Sequence, residues 1–178
     1  WRVVILPESN AKVVEMTYKP TGRNVIQPAR ALNRFRYEEW IRQGEGPGSQ
    51  HIVAYETQAQ PDKVLLSFTT PDGSRIERSI ALAGDVIRFE TTLTANAPRA
   101  FDAYVHPEYD AATTSDDPHV VSLYVRAPEW VHANKDWEGA VPTEEQIALI
   151  RNAAGGGAFA YYNHEAKFGV EQRFHPDD

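Results

Sequence analysis

Apolar and polar residues alternate through the middle of the chain, from residue 63 to residue 94. Three apolar runs carry this alternation: Val64-Leu66-Phe68, Ile76-Ile80-Leu82 and Ile87-Phe89-Leu93. A period of two is expected when one face of a sheet is buried and the other faces solvent. Turn signals separate the runs at residues 71–73 and 83–85. The segment is therefore predicted to be an antiparallel meander whose core-facing residues are Phe68, Ile80, Ile87 and Phe89.

Further strands are predicted on both sides of this meander. The expected segments are 1–6, 12–18, 25–26, 51–57, 120–125 and a closing hairpin of 159–163 and 167–174. The alternation stops between residues 27 and 50, and no strand is predicted there. This segment ends in a glycine-rich run that is a flexible loop by composition. Residues after 125 are rich in turn signals.

One helix is predicted near residues 143–154. Thr143 followed by Gln146 forms a capping box, and the acidic residues between them favour the positive end of a helix dipole. Ile147, Leu149 and Ile150 are expected to form its apolar face. The glycines at 155–157 follow this helix rather than open one, so they predict a helix end and not a phosphate-binding loop.

Composition and charge limit the possible functions. A chain of 178 residues with 42% hydrophobic content suits a single domain over residues 1–178. The net charge of −7 argues against nucleic-acid binding, because phosphate contacts need clustered Lys and Arg. No apolar run is long enough to predict a membrane span. The chain starts with Trp1 rather than Met, so a processed product, an excised domain or a fragment is expected.

The chain contains no cysteine, which excludes disulfides and thiolate metal sites. This leaves the compartment open between the cytoplasm, the periplasm and secretion. No cofactor or metal is predicted, because His164-Glu165 with His175 and Asp177 lacks the spacing of a known metal motif.

The segment 63–110 has an order of elements that resembles a known family. It reads as strand, Asp-Gly turn, R-I-E-R strand, Gly-Asp turn, R-F-E strand, N-x-P, strand and H-P-E-Y. This order is similar to that of the galactose mutarotase-like (aldose 1-epimerase-like) family of sugar-binding domains. Residues 7–26 and 169–178 are similar to the opening strands and to a catalytic stretch of that family. The resemblance implies an all-β antiparallel β-supersandwich, with the predicted helix on its flank.

The same resemblance implies a pair of titratable residues at a sugar. His106 takes the position of the general acid and Glu171 that of the general base, since ring opening at the anomeric carbon needs both an acid and a base. Plainer interpretations stay open beside these roles. A His before Pro is often a turn residue, and Glu171 can be a solvated partner of Arg173.

Other side chains are expected to bind the sugar. Glu108 lies beside His106 at the tip that follows a strand, and Arg34 or Arg36 corresponds loosely to the arginine that family members direct at sugar hydroxyls. The His-Gly pattern that often accompanies this arginine is absent. The alternative for the arginines is a solvated face that covers aromatic rings.

The tryptophans suggest stacking on the apolar face of a pyranose ring. The candidates are Trp40, Trp130 and Trp137, with Asn134, Asp136 and Glu138 as neighbours that could bind hydroxyls. Core packing is the alternative interpretation.

Three functions remain open from the sequence. The first is a carbohydrate-binding module of a larger glycan-processing protein. The second is an active aldose 1-epimerase that uses His106 and Glu171. The third is a structural β-domain that braces a catalytic domain. The expected partners are a mono- or oligosaccharide and other domains of a parent protein.

Overall fold

The computed structural model describes residues 1–9, 11–26, 37–42, 54–98, 102–107, 109–110, 117–137, 143–151 and 156–174. The chain divides into two compact units, Trp1–Glu108 and Tyr109–Asp178. Both units are built mainly from antiparallel strands. The single domain expected over residues 1–178 stays a prediction.

The described residues of the first unit form two sheets. Its described strands are β1 (Arg2–Leu6), β2 (Lys12–Tyr18), β3 (Arg23–Asn24), β4 (Tyr37–Arg42), β5 (Ala54–Ala59), β6 (Lys63–Thr69), β7 (Arg75–Ala83), β8 (Val86–Thr94) and β9 (Asp102–Pro107). One sheet has the order β1-β2-β4-β9, with β3 paired to β2, and the other has the order β5-β6-β7-β8. The strands predicted at 1–6 and 12–18 are confirmed as β1 and β2.

The predicted meander is confirmed as β6, β7 and β8. The strand predicted at 51–57 is confirmed over its described residues as β5, the fourth strand of this sheet. Ile80 lies opposite Phe89, and Phe68 is on the same face of the sheet. Phe68 and Ile80 are buried, whereas Phe89 and Ile87 are half-buried because β8 is the outermost strand of this sheet. The two predicted turns contain glycines with positive φ, Gly73 at 81° and Gly84 at 65°.

No strand is predicted between residues 27 and 50, where the alternation stops. This prediction is wrong, because β4 lies within that segment. Its sequence, YEEWIR, puts two charged residues side by side, which hides a period of two. Its ladder with β9 runs from Tyr37–Pro107 to Arg42–Asp102. This pairing joins distant parts of the chain, and no local pattern encodes it.

The second unit contains one sheet and two short helices among its described residues. The strands are β10 (Val121–Ala127), β11 (Glu129–His132), β12 (Ala158–Asn163) and β13 (Phe168–Arg173), and the helices are α1 (Ala133–Asp136) and α2 (Glu144–Arg151). The sheet is antiparallel with the order β11-β10-β12-β13, and both helices contact β10. The strand predicted at 120–125 and the closing hairpin are confirmed. No helix in the described residues is both long and apolar enough to cross a membrane.

The capping box of α2 is confirmed. The Thr143 N–H donates to Gln146 Oε1 at 2.7 Å, and the Gln146 N–H donates to Thr143 Oγ1 at 3.3 Å. Ile147 and Ile150 are half-buried, but Leu149 is 45% exposed, so its predicted place on the apolar face is wrong. The antiparallel all-β class is confirmed. The short helix α1 is present in addition to the expected helix.

Tyr109 lies in the core of the second unit, where only 5% of it is exposed. Its hydroxyl donates to Gln172 Oε1 on β13 at 2.9 Å. Burial raises the pKa of Tyr109 well above its ordinary value near 10, and the neighbouring Tyr161 adds to the rise. The folded protein therefore holds a phenol proton that the unfolded chain loses in alkaline solution.

This difference predicts a loss of stability above pH 10. Because the unfolded state releases the Tyr109 proton and the folded state keeps it, the free energy of unfolding should fall by about 1.4 kcal/mol between neutral pH and pH 11 on account of this residue. Urea titrations of the wild type and of Tyr109→Phe at both pH values measure the difference. At neutral pH, the free energy of unfolding of the variant should be about 1 kcal/mol below that of the wild type, because the hydrogen bond is lost. Between neutral pH and pH 11, this free energy should then fall less steeply in the variant. Exposed Tyr162→Phe is the control, and equal slopes in wild type and Tyr109→Phe would contradict the expectation.

Candidate functional site

The register of the sheet in the second unit decides which side chains share a face. Residues two apart along a strand, or directly opposite on neighbouring strands, point to the same side. One row across all four strands is His132, Tyr124, Ala160 and Glu171. Extending this row in both directions defines the open face, whose residues are Ser122, Tyr124, Arg126, Trp130, His132, Ala158, Ala160, Tyr162, Gly169, Glu171 and Arg173. Ser122 and Ala158 are buried, and the other members are half-buried or exposed.

The open face is the accessible side of this sheet. Trp130 is 45% exposed and Tyr162 is 38% exposed, so two large rings of this face meet solvent. The opposite face carries Val125 and Gln172, the latter bonded to buried Tyr109. The sheet thus has a core side and a side on which aromatic rings meet solvent.

A concavity of about 430 Å³ lies on the open face. Its lining residues are Tyr124, Ala160, Tyr161, Tyr162, His164, Gly169, Val170 and Glu171. Ala160 and Gly169 are the small residues of this lining, and the larger side chains surround them. The concavity therefore exists because β12 and β13 each place a small residue between bulky neighbours.

Gly169 is required by its surroundings. A Cβ at this position would lie 2.7 Å from the Tyr161 carbonyl oxygen and 3.1 Å from Tyr162 Cδ2. Gly169 is also the cross-strand partner of Tyr162. The ring of Tyr162 therefore packs over the glycine, which fixes this ring at the edge of the concavity.

The aromatic rings of the site are held by ring contacts. Tyr124 stacks on His132, with ring centroids 4.8 Å apart and an interplanar angle of 24°. Tyr162 meets His164 edge to face, with centroids 5.0 Å apart. Such contacts orient the rings, so the concavity is bounded by side chains with defined positions.

His164 is also held by hydrogen bonds. Its Nε2 lies 2.7 Å from Ser122 Oγ, and its backbone N–H donates to the Val120 carbonyl at 2.9 Å. A serine beside a histidine is the arrangement of a nucleophile and its base. Ser122 is completely buried and also donates to the Pro118 carbonyl at 3.3 Å, so no substrate reaches its hydroxyl. The pair positions His164 at the concavity instead.

Glu171 forms an ion pair with Arg173 across one face of β13. The hydrogen bond from Arg173 Nε, together with the negative charge of Glu171, raises the pKa of Arg173 above its ordinary value. This is the plainer of the two interpretations of Glu171, and it leaves the carboxylate at the concavity. Tyr124 and Glu171 stand two strand spacings apart, about 10 Å between backbones, with Ala160 between them.

The other predicted site residues have varied positions. His106 lies on β9 opposite Glu38 of β4, within the first unit, and its side chain is outside the described residues. Glu171 belongs to the second unit, so the pairing of His106 with Glu171 stays a prediction. Arg34, Arg36 and Glu108 lie outside the described residues.

The two tryptophans of the second unit differ. Trp130 lies on the open face but does not line the concavity, and its stacking on a sugar stays a prediction. Trp137 follows α1 and is half-buried. Its backbone N–H donates to the Ala133 carbonyl at 3.0 Å. The amide of Asn134, expected to bind hydroxyls, bonds instead to the backbone of β10 at Leu123 and Val121.

Tyr124 and Tyr162 line the concavity and were missed by the sequence analysis, which considered His164 only as a metal ligand. Their positions in the strands are the signal that could have identified them. Tyr124 and Tyr162 fall on the solvent-facing positions of largely apolar strands, and His164 follows directly after β12. Among the described residues, no group of three or more His, Asp or Glu side chains could hold a metal ion.

Comparison of the chain with protein-family models, curated proteins and solved structures returned no match. The resemblance to the galactose mutarotase-like family therefore stays a prediction. The function of the open face has to be argued from its own geometry.

The contact between Ser122 and His164 predicts an energetic coupling between the two side chains. Ser122→Ala and His164→Ala should each cost about 1 kcal/mol of unfolding free energy, and the double variant should cost less than their sum by about 0.5–1.5 kcal/mol. Urea unfolding of the four proteins gives this coupling. Ser122→Ala combined with Glu165→Ala, an exposed residue of the same turn, should be additive. If the costs of Ser122→Ala and His164→Ala are additive in the double variant, the hydrogen bond between these side chains contributes nothing to the free energy of unfolding.

Proposed function

We propose that the second unit is a carbohydrate-binding domain and that one sugar ring binds in the concavity of the open face. The observation that carries this proposal is the row Tyr124, Ala160 and Glu171, which sets an aromatic ring and a carboxylate on opposite sides of a small residue. A pyranose has an apolar face of C–H groups and a rim of hydroxyls. An aromatic ring suits the apolar face, and a carboxylate accepts hydrogen bonds from the hydroxyls.

The chemistry of the lining suits this ligand. Tyr124 and Tyr162 offer ring faces and edges for the C–H groups, and their hydroxyls donate or accept. Glu171 accepts hydrogen bonds from sugar hydroxyls, and charge-assisted bonds of this type are the stronger ones. His164 adds a ring nitrogen that can donate or accept, according to its tautomer.

The size and shape of the concavity also support a small polar ligand. Its volume of about 430 Å³ falls within the usual range for small-molecule sites. The site is shallow, so a bound sugar keeps part of its surface in water. Affinity for a single sugar is expected to be weak, with a Kd of about 1 mM or higher.

A binding role is favoured over the epimerase alternative by the state of Glu171. A general base must be free to take a proton from the anomeric hydroxyl, whereas this carboxylate is already engaged by Arg173. The finer proposals, a mutarotase-like supersandwich and a module within a larger glycan-processing protein, rest on the resemblance in residues 63–110. The bracing role would leave the open face without a ligand.

Sugar binding is tested by amide NMR titration with a panel of hexoses and pentoses. Signals of Tyr124, Tyr162, Gly169 and Glu171 should shift together at millimolar sugar. Glu171→Gln should weaken binding about tenfold, because a hydrogen bond to a charged acceptor is lost. Glu129→Gln is the matched control, since Glu129 is exposed on the other face of the sheet.

The outcomes separate the three functions. No shift with any sugar at tens of millimolar would reject binding and leave the bracing role. Polarimetry on freshly dissolved glucose and galactose should show the spontaneous mutarotation rate. An accelerated rate that both Glu171→Gln and His106→Ala abolish would support the epimerase instead.

A further inference from the structure

Trp130 and Arg126 form a second exposed feature on the open face. They are direct cross-strand partners on β11 and β10. Trp130 is 45% exposed and Arg126 is half-buried, and neither lines the concavity. A sugar bound in the concavity therefore leaves this pair free.

The three aromatic residues of the open face follow a diagonal across the sheet. Trp130 on β11, Tyr124 on β10 and Tyr162 on β12 each lie one strand and two residues from the next. With strands about 4.8 Å apart and a rise of about 3.4 Å per residue, each step measures about 8 Å and the whole line about 17 Å. This line is longer than one pyranose ring, so a single sugar cannot contact both ends.

The charges along this diagonal are uneven. Glu171 and Arg173 neutralise each other at the β13 side. Arg126 has no ion pair or hydrogen bond within the part of the chain that the structure describes, so the Trp130 end carries a positive charge on a protein of net charge −7. A guanidinium presents a planar fork of donors that matches a carboxylate.

We propose that the open face binds an oligosaccharide rather than a single sugar, and that the sugar over Trp130 carries a carboxylate that pairs with Arg126. The ligand class is thus an acidic oligosaccharide with a uronic acid next to a neutral sugar. This proposal rests on the proposed function, because the neutral sugar in the concavity anchors the chain. The ring of Trp130 packs on the apolar face of the uronate while Arg126 holds its carboxylate.

Matched disaccharides test the proposal. The probes are cellobiose and cellobiouronic acid, and maltose and maltobiouronic acid; within each pair one hydroxymethyl group is replaced by a carboxylate. NMR titration should give at least one acid that binds about tenfold more tightly than glucose and than its neutral partner. The amide signals of Arg126 and Trp130 should shift with that acid and not with glucose. Added salt should weaken binding of the acidic disaccharide and leave binding of glucose unchanged.

Variants separate the two contacts. Arg126→Gln should make the affinity for the acidic disaccharide nearly equal to that for its neutral partner. Trp130→Ala should remove the higher affinity that both disaccharides of the pair have over glucose. Arg88→Gln, an exposed arginine of the first unit, is the control and should keep the wild-type ratio. An intact amide spectrum confirms that each variant is folded.

Two negative results are distinguishable. Monosaccharides that shift the concavity signals, together with disaccharides that bind no more tightly, would overturn the oligosaccharide proposal alone. The same holds for an acid whose preference survives Arg126→Gln. No binding by any mono- or disaccharide would overturn the proposed function and this inference together.

Discussion

The close approach of Gly169 to β12 is the constraint on which the open face depends. A methyl group at this position would lie 2.7 Å from the Tyr161 carbonyl oxygen, which is backbone and cannot move without disturbing the ladder between β12 and β13. Tyr162 uses the space that the glycine leaves, and its ring then contacts His164. The glycine, the two rings and the serine behind His164 form one connected arrangement. Contacts of this kind restrict the side chains, and side chains that are restricted before binding lower its entropic cost.

Local chemistry accounts for the parts of the fold that the sequence predicted well. The capping box of Thr143 with Gln146 and the turns at Gly73 and Gly84 depend on residues within a few positions of one another. The pairing of β4 with β9 could not be predicted in this way, because its partners lie 60 to 70 residues apart in the chain. Long-range pairing is decided by which strand finds a complementary edge, and the sequence between Tyr37 and Arg42 carries no clear period.

The candidate site was harder to predict than the fold because it depends on register. Tyr161 and Tyr162 are identical neighbours, yet Tyr161 is half-buried with a pKa raised by burial, and Tyr162 is 38% exposed beside the concavity. A shift of one residue would exchange their faces. The sequence marked Trp130 and Glu171 as candidates, but only the pairing of β11, β10, β12 and β13 places them on one face with Tyr124.

Charge pairing then decides what kind of ligand suits each end of this face. Exposed ion pairs such as Glu171 with Arg173 stabilise a fold very little, so the role of this pair lies in orienting the carboxylate and cancelling its charge. A neutral polyhydroxylated ring can occupy that end without bringing an unpaired charge with it. At the other end Arg126 has no such partner among the described residues. Under the proposed function, contacts on one oligosaccharide add once its first sugar is bound, so a shallow face would gain affinity by extending along the diagonal rather than by deepening its concavity.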